Sequence, residues 1–119
     1  LWKKGGVIME ITKKQFKHCD LITVTGRVDS STAPLLGDAL NEVTNEGRFH
    51  VVVDLSDLEF LSSAGIWVLV NTQKTCKRYN RGEVVLVNVP DRILSTLDLA
   101  GLVPFFTIST DLTDAVGSF

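Results

Sequence analysis

Apolar residues recur along this chain with two periods, and the switching between them predicts an architecture. Leu21-Ile22-Thr23-Val24-Thr25-Gly26 alternates with a period of two, which places Leu21, Thr23 and Thr25 on one face of a strand. Residues 8–16 are also strand-like, and a turn over 17–20 joins the two strands into an opening hairpin. Ser30-Ser31-Thr32 then offers helix caps ahead of Pro34, which suits a first helical turn. Leu36, Ala39, Leu40 and Val43 follow at helical spacing until Gly47. The run His50-Val51-Val52-Val53-Asp54-Leu55 has no alternation, as expected of a strand covered on both faces. A second helix is predicted over 63–80, closed by Gly82, and a buried strand over 83–89. Pro90 opens a third helix ending at Gly101, a short strand follows over 105–108, and a terminal helical turn over 111–116. The order β-β-α-β-α-β-α-β-α predicts a single α/β domain. Right-handed crossovers supply parallel pairing, the hairpin supplies an antiparallel element, and helices pack on the resulting mixed sheet.

Composition narrows the functional classes. The 119 residues, 45% hydrophobic and 22% charged, fit one folded domain. Twelve Lys and Arg against fourteen Asp and Glu give a net charge of −2, without the basic surplus that nucleic-acid binding requires. Cys19 and Cys76 are far apart and belong to no CxxC or Cys/His cluster, so a disulfide-dependent scaffold is excluded. The longest apolar run, residues 64–70, is far short of the roughly 20 residues of a membrane span. No signal-peptide h-region is evident, and the expected compartment is the cytosol. The chain starts with Leu1 rather than Met, so residues 1–7 are read as an N-terminal extension or expression remnant and 8–119 as the domain.

Catalytic signatures are missing. The chain contains neither GxxxxGK[ST] nor GxGxxG, and Leu61-Ser62-Ser63-Ala64-Gly65 is not a GxSxG elbow. Its two imidazoles, His18 and His50, fall in a turn and at a strand entry, with no metal-ligand spacing around either. A non-enzyme without catalytic residues, cofactor or metal is expected.

The informative segment is Asp54-Leu55-Ser56-Asp57-Leu58-Glu59-Phe60-Leu61-Ser62-Ser63-Ala64-Gly65-Ile66. A buried strand runs out, an acidic connection follows, and two serines sit where the next helix begins. One reading is capping, a serine hydroxyl accepting from a free N–H of the first turn. The other is a phosphate acceptor, because a helix N-terminus tolerates an anion and a phosphoserine adds about −1.5 to −2 charges. The two are compatible if Ser62 caps and Ser63 is modified. Trp67, Asn71, Lys74 and Arg78 continue the Ser63 stripe at helical steps, whereas Ile66, Leu69, Val70, Gln73 and Cys76 form the stripe facing the sheet. Trp67 therefore stands on the polar side one turn from Ser63. It is either an interface anchor or a side chain covered by another loop or helix.

Three blocks carry a family resemblance. They are Val53-Asp54-Leu55-Ser56 through Phe60-Leu61-Ser62-Ser63-Ala64-Gly65-Ile66; Gly26-Arg27-Val28-Asp29-Ser30-Ser31-Thr32-Ala33-Pro34-Leu35; and Leu97-Asp98-Leu99-Ala100-Gly101-Leu102 through Phe106-Thr107-Ile108. In this order they resemble a STAS domain of the bacterial anti-sigma factor antagonist type, over residues 8–116. The resemblance implies that Ser63 is the serine phosphorylated by a cognate anti-sigma factor serine kinase, with Ser62 as the fallback acceptor and Asp29 as the family's nearby acid. Unphosphorylated antagonist would bind the kinase and free its sigma factor, phosphorylated antagonist would let go, and a PP2C-type serine phosphatase would reset it. Many members carry Asp just before the acceptor and Ser or Thr just after it, where this chain has Ser62 and Ala64. The implied partner surface comprises Asp29, Ser62, Ser63, Trp67, Asn71 and Lys74. Asp29, Asp57 and Glu59 are expected to converge on Ser63, so that phosphate there would build a negative patch. Like-charge and desolvation penalties of about 1–3 kcal/mol each would then release the kinase. Two alternatives stand beside this reading: an unphosphorylated STAS scaffold of a signalling complex, and a nucleotide-binding STAS domain.

Overall fold

The valine-rich segments form the middle of a mixed sheet, and the period-3.6 segments pack on it. The structure is a computed structural model and describes residues 2–4 and 7–119. Among these the strands are β1 (Trp2–Lys4), β2 (Val7–Gln15), β3 (Asp20–Val28), β4 (His50–Asp54), β5 (Leu58–Leu61), β6 (Glu83–Val87) and β7 (Thr107–Ser109). The helices are α1 (Ala33–Asn45), α2 (Ser63–Lys77), α3 (Asp91–Leu99) and α4 (Leu112–Gly117). The strand order is β1-β2-β3-β4-β6-β7. β1, β2 and β3 pair antiparallel, while β3, β4, β6 and β7 pair parallel, as the crossover rule requires.

Burial follows the sequence periods. Along β3, Ile22, Val24 and Val28 are buried while Leu21, Thr23 and Thr25 are only partly covered. Val51 and Val53 of β4 and Val84 and Leu86 of β6 join the main core with Leu36, Leu40 and Val43 of α1, Leu69 of α2 and Leu97 of α3. Their neighbours Val52, Val85 and Val87 point into a smaller core on the other face, with Cys19 and with Ala115 of α4. The unalternating valines thus mark strands buried on both sides.

Several boundaries differ from the sequence expectation. β1 pairs with the start of β2 where the sequence suggested an extension. Residues 103–105 form a 3₁₀ turn rather than the start of a strand, which begins only at Thr107. α2 stops at Lys77, and residues 78–80 make a 3₁₀ turn in which Tyr79 adopts φ +59°. β5 forms where the sequence predicts only an acidic connection. It pairs parallel with the end of β3 (Gly26–Val28), on the edge that β4 occupies further back along β3, with a register shift after Gly26. Gly26 has φ +89°, a left-handed conformation that a side chain disfavours. This extension of the sheet positions the start of α2.

Candidate functional site

The site is built where β3 and β5 end together. Leu61 pairs with Val28, and the Ser62 N–H donates to the Val28 carbonyl at 2.8 Å. The chain then turns directly into α2. Ser62 is its N-cap, in extended conformation (φ −78°, ψ 169°), and its Oγ accepts from the Gly65 N–H at 3.2 Å. Gly65 lets this first turn sit hard on the sheet, since a Cβ there would lie 2.6 Å from Leu61 Cδ1 and 2.7 Å from Val28 Cγ1. Ser63, the first helical residue, is exposed. The two serines therefore divide as the residue pattern allows, with Ser62 capping and the Ser63 hydroxyl presented to solvent.

The helical stripes are as predicted. Ile66, Leu69, Val70, Gln73 and Cys76 are buried, and Ser63, Trp67, Asn71, Lys74 and Arg78 are exposed. Trp67 retains 59% of its surface, so no loop or helix covers it. Ser63, Ile66, Trp67 and Val70 line one wall of a groove of about 250 Å³, whose other wall is Ala100 and Leu102. Next to that wall, Leu99 ends α3 with 90% of its surface exposed. The sequence reading missed Leu99, Ala100 and Leu102 as part of this surface. A signal was present: Leu99 falls about 200° around the helix from the buried Leu97, and an apolar residue out of step with its own stripe faces water.

The acidic surroundings differ from expectation. Asp29 follows Val28 and so leaves the sheet beside Ser62, but its carboxylate is engaged locally. Its Oδ1 accepts from Ser31 Oγ (2.7 Å), Ser31 N (2.9 Å) and Thr32 N (3.0 Å). These bonds, the Ser31 hydroxyl foremost, hold the Asp29 carboxyl below its ordinary value. The expected capping by Ser30, Ser31 or Thr32 does not occur: the Thr32 hydroxyl accepts from the Asp29 N–H at 2.9 Å and donates to the Arg27 carbonyl at 3.0 Å. Asp57 stands at the far end of β5, its carbonyl accepting from the Gly26 N–H, roughly 16 Å of strand away from Ser62. Glu59 lies mid-strand, where Arg92 donates to its carbonyl and Arg27 stacks over Phe60 at 4.6 Å. The uniformly acidic collar is therefore corrected to one nearby acid, with two cations against β5. Asn71 and Lys74 lie one and two turns beyond Trp67 on the same exposed stripe.

Among the described residues, no three His, Cys, Asp or Glu side chains come together to hold a metal ion, and no helix is long and apolar enough to cross a membrane. The family profile of the STAS domain matches residues 10–115. The anti-sigma-F factor antagonist RsfB of Mycobacterium tuberculosis is 32% identical over 97 residues, covering 81% of this chain and 77% of that one. The anti-sigma-B factor antagonist of Listeria monocytogenes is 28% identical over 96 residues, covering 81% and 82%. Among solved structures, an anti-sigma factor antagonist from Mycobacterium paratuberculosis superposes with a TM-score of 0.84 at 25% identity, covering 98% of this chain and 97% of its own.

Proposed function

The chain belongs to the STAS domain family, and from that membership we propose that it is an anti-sigma factor antagonist switched by phosphorylation of Ser63. Its partner is an anti-sigma factor serine kinase, which it binds while Ser63 is unmodified, freeing the sigma factor. Phosphorylation releases the kinase, and a PP2C-type phosphatase restores the binding form. The protein acts in the cytoplasm, without catalytic activity of its own, and residues 8–119 are the working domain.

The observation that carries this reading is the exposed Ser63 hydroxyl at the rim of an apolar groove, one turn from an exposed Trp67. An unmodified hydroxyl can be covered by a partner at small desolvation cost. A phosphate group cannot, because burying its charge without a matching cation costs several kcal/mol. The helix N-terminus meanwhile accommodates the new charge, so the fold survives the modification. Trp67 anchors the contact, Leu99 and Leu102 extend its apolar part, and Asn71 and Lys74 form the polar rim along α2. Asp29 acts by fixing the β3–α1 corner beside Ser62.

The test is phosphorylation of the purified chain by its cognate kinase with ATP, followed by peptide mass spectrometry. Ser63 carries the phosphate, and Ser63→Ala abolishes it while still binding the kinase. Phosphate found only on another residue, or none, would sink the proposal. Trp67→Ala weakens kinase binding by about 30-fold, the scale of an aromatic anchor. An unchanged dissociation constant places Trp67 outside the contact.

A further inference from the structure

The sheet has a second built end. β3, β4 and β6 run parallel, so the residues that precede or open them gather at the end opposite Ser63. A cavity of about 230 Å³ opens there, lined by Lys17, His18, Arg48, Phe49, His50 and Arg81, and no carboxylate lines it. Asp20 is the nearby acid, fully buried and taken by Arg48 Nε. Glu83 belongs to the adjoining cavity, where it accepts from Thr107 Oγ1 at 2.7 Å.

The cationic groups are held in place before any ligand arrives. Arg48 also donates to the Phe16 carbonyl at 2.6 Å and the Cys19 carbonyl at 3.2 Å. Arg81 donates to the Arg78 and Thr75 carbonyls at 3.0 and 2.8 Å, and its Cζ lies over the Phe49 ring at 3.8 Å from the centroid. Gly82 permits that stack: a Cβ at this position would come within 2.2 Å of the Phe49 carbonyl oxygen. His50 Nδ1 lies 3.1 Å from the His18 carbonyl, and its ring stacks on Phe119 at 4.6 Å. The two guanidinium groups keep N–H capacity beyond these bonds, so a ligand bound to them has little of their side-chain entropy left to remove. The negative ends of α1 and α2 point to this region and attract cations. That does not account for the whole set, because α2 already carries Lys74 and Lys77 in its last turn.

We infer that this cavity binds a small oxyanion bearing one phosphate group, either inorganic phosphate or a phosphate monoester. Planar guanidinium groups with spare donors match phosphate oxygens, and Lys17 adds a point charge. The volume suits a phosphate group and a few attached atoms. The inference is independent of the role proposed for Ser63.

The experiment is an amide NMR titration of the whole chain with inorganic phosphate and, separately, with glycerol phosphate, chloride holding ionic strength constant. Saturable shifts are expected, confined to Gly47, Arg48, Phe49, Arg81 and Gly82, and unchanged in Ser63→Ala. Lys17→Glu, on an exposed turn, should weaken binding at least tenfold, and His50→Gln about threefold. Saturation by both anions shows that the phosphate alone is read, and saturation by glycerol phosphate alone shows that the ester group is needed as well. Shifts that grow linearly with both anions, or an affinity unaltered in Lys17→Glu, would overturn the inference.

Discussion

Ser62 and Ser63 have the same side chain one position apart, and the backbone gives them different work. Ser62, still extended, accepts from the Gly65 N–H, whereas Ser63 is already helical and exposed. Ser62→Ala should therefore lower stability by about 1 kcal/mol in urea denaturation, and Ser63→Ala by less than about 0.5 kcal/mol. Equal losses would reverse the assignment. Asp29 offers a second test at this scale. Because its native carboxyl is held below the ordinary 3.8, its contribution to stability is present above that value. The contribution is lost as pH falls through the lower native value. Carbon-detected NMR should find Asp29 titrating below 3.8, and Ser31→Ala should move it upward, since the Ser31 hydroxyl is the largest cause. A midpoint that stays fixed in Ser31→Ala would show that the local hydrogen bonds are not responsible.

α2 shows how far an element can be read from its spacing. The stripe from Ile66 to Cys76 was legible because helical periodicity fixes which residues share a face, and Gln73 was correctly placed on the buried side. Its task there was not legible. Gln73 Oε1 accepts from the Val84 N–H at 2.6 Å, and Nε2 donates to the Phe105 and Val84 carbonyls at 3.0 and 3.3 Å. Pairing of β6 with β7 begins only at Val85, so the Gln73 amide stands in for the missing strand beside Val84. Gln73→Leu keeps the volume but strands buried backbone groups, and should cost about 2–3 kcal/mol of unfolding free energy. A loss under about 0.5 kcal/mol would mean that water or a local shift replaces the amide. β5 was illegible for a related reason. Four residues are too few to declare a period, and their pairing depends on the register shift at Gly26. With β5 unrecognised, Asp57 was placed next to Ser63 when the strand holds it apart. The Trp67 side of the site was read from spacing alone, whereas the Leu99 side depends on how α3 and its following turn pack.

Across the whole molecule, the small net charge conceals a partial separation. Asp29, Asp54, Asp57, Glu59 and Asp91 outnumber Arg27 and Arg92 toward the carboxyl ends of the parallel strands, while Lys17, Arg48, Lys77 and Arg81 outnumber Asp20 and Glu83 toward their starts. Coverage of the sheet is equally one-sided: three longer helices shield one face, and the six residues of α4 shield the smaller core on the other. The two thiols report on these faces separately. Cys76 lies in the main core, where burial pushes its thiol up to about 11, and Cys19 lies under α4, its sulfur 4.0 Å from the Val116 carbonyl and its titration also raised by burial. Without denaturant, neither should react with a thiol reagent at neutral pH on the timescale of an unfolded control, because both are inaccessible and few molecules carry the thiolate. A short helix with one buried side chain can open without the rest of the fold, and such local openings require less free energy than global unfolding. At sub-denaturing urea, Cys19 should therefore label first with a weak dependence on urea, while Cys76 follows the steep dependence of global unfolding. If Cys76 labels first, or both thiols share one steep dependence, α4 does not open separately and the two faces of the sheet form a single cooperative unit.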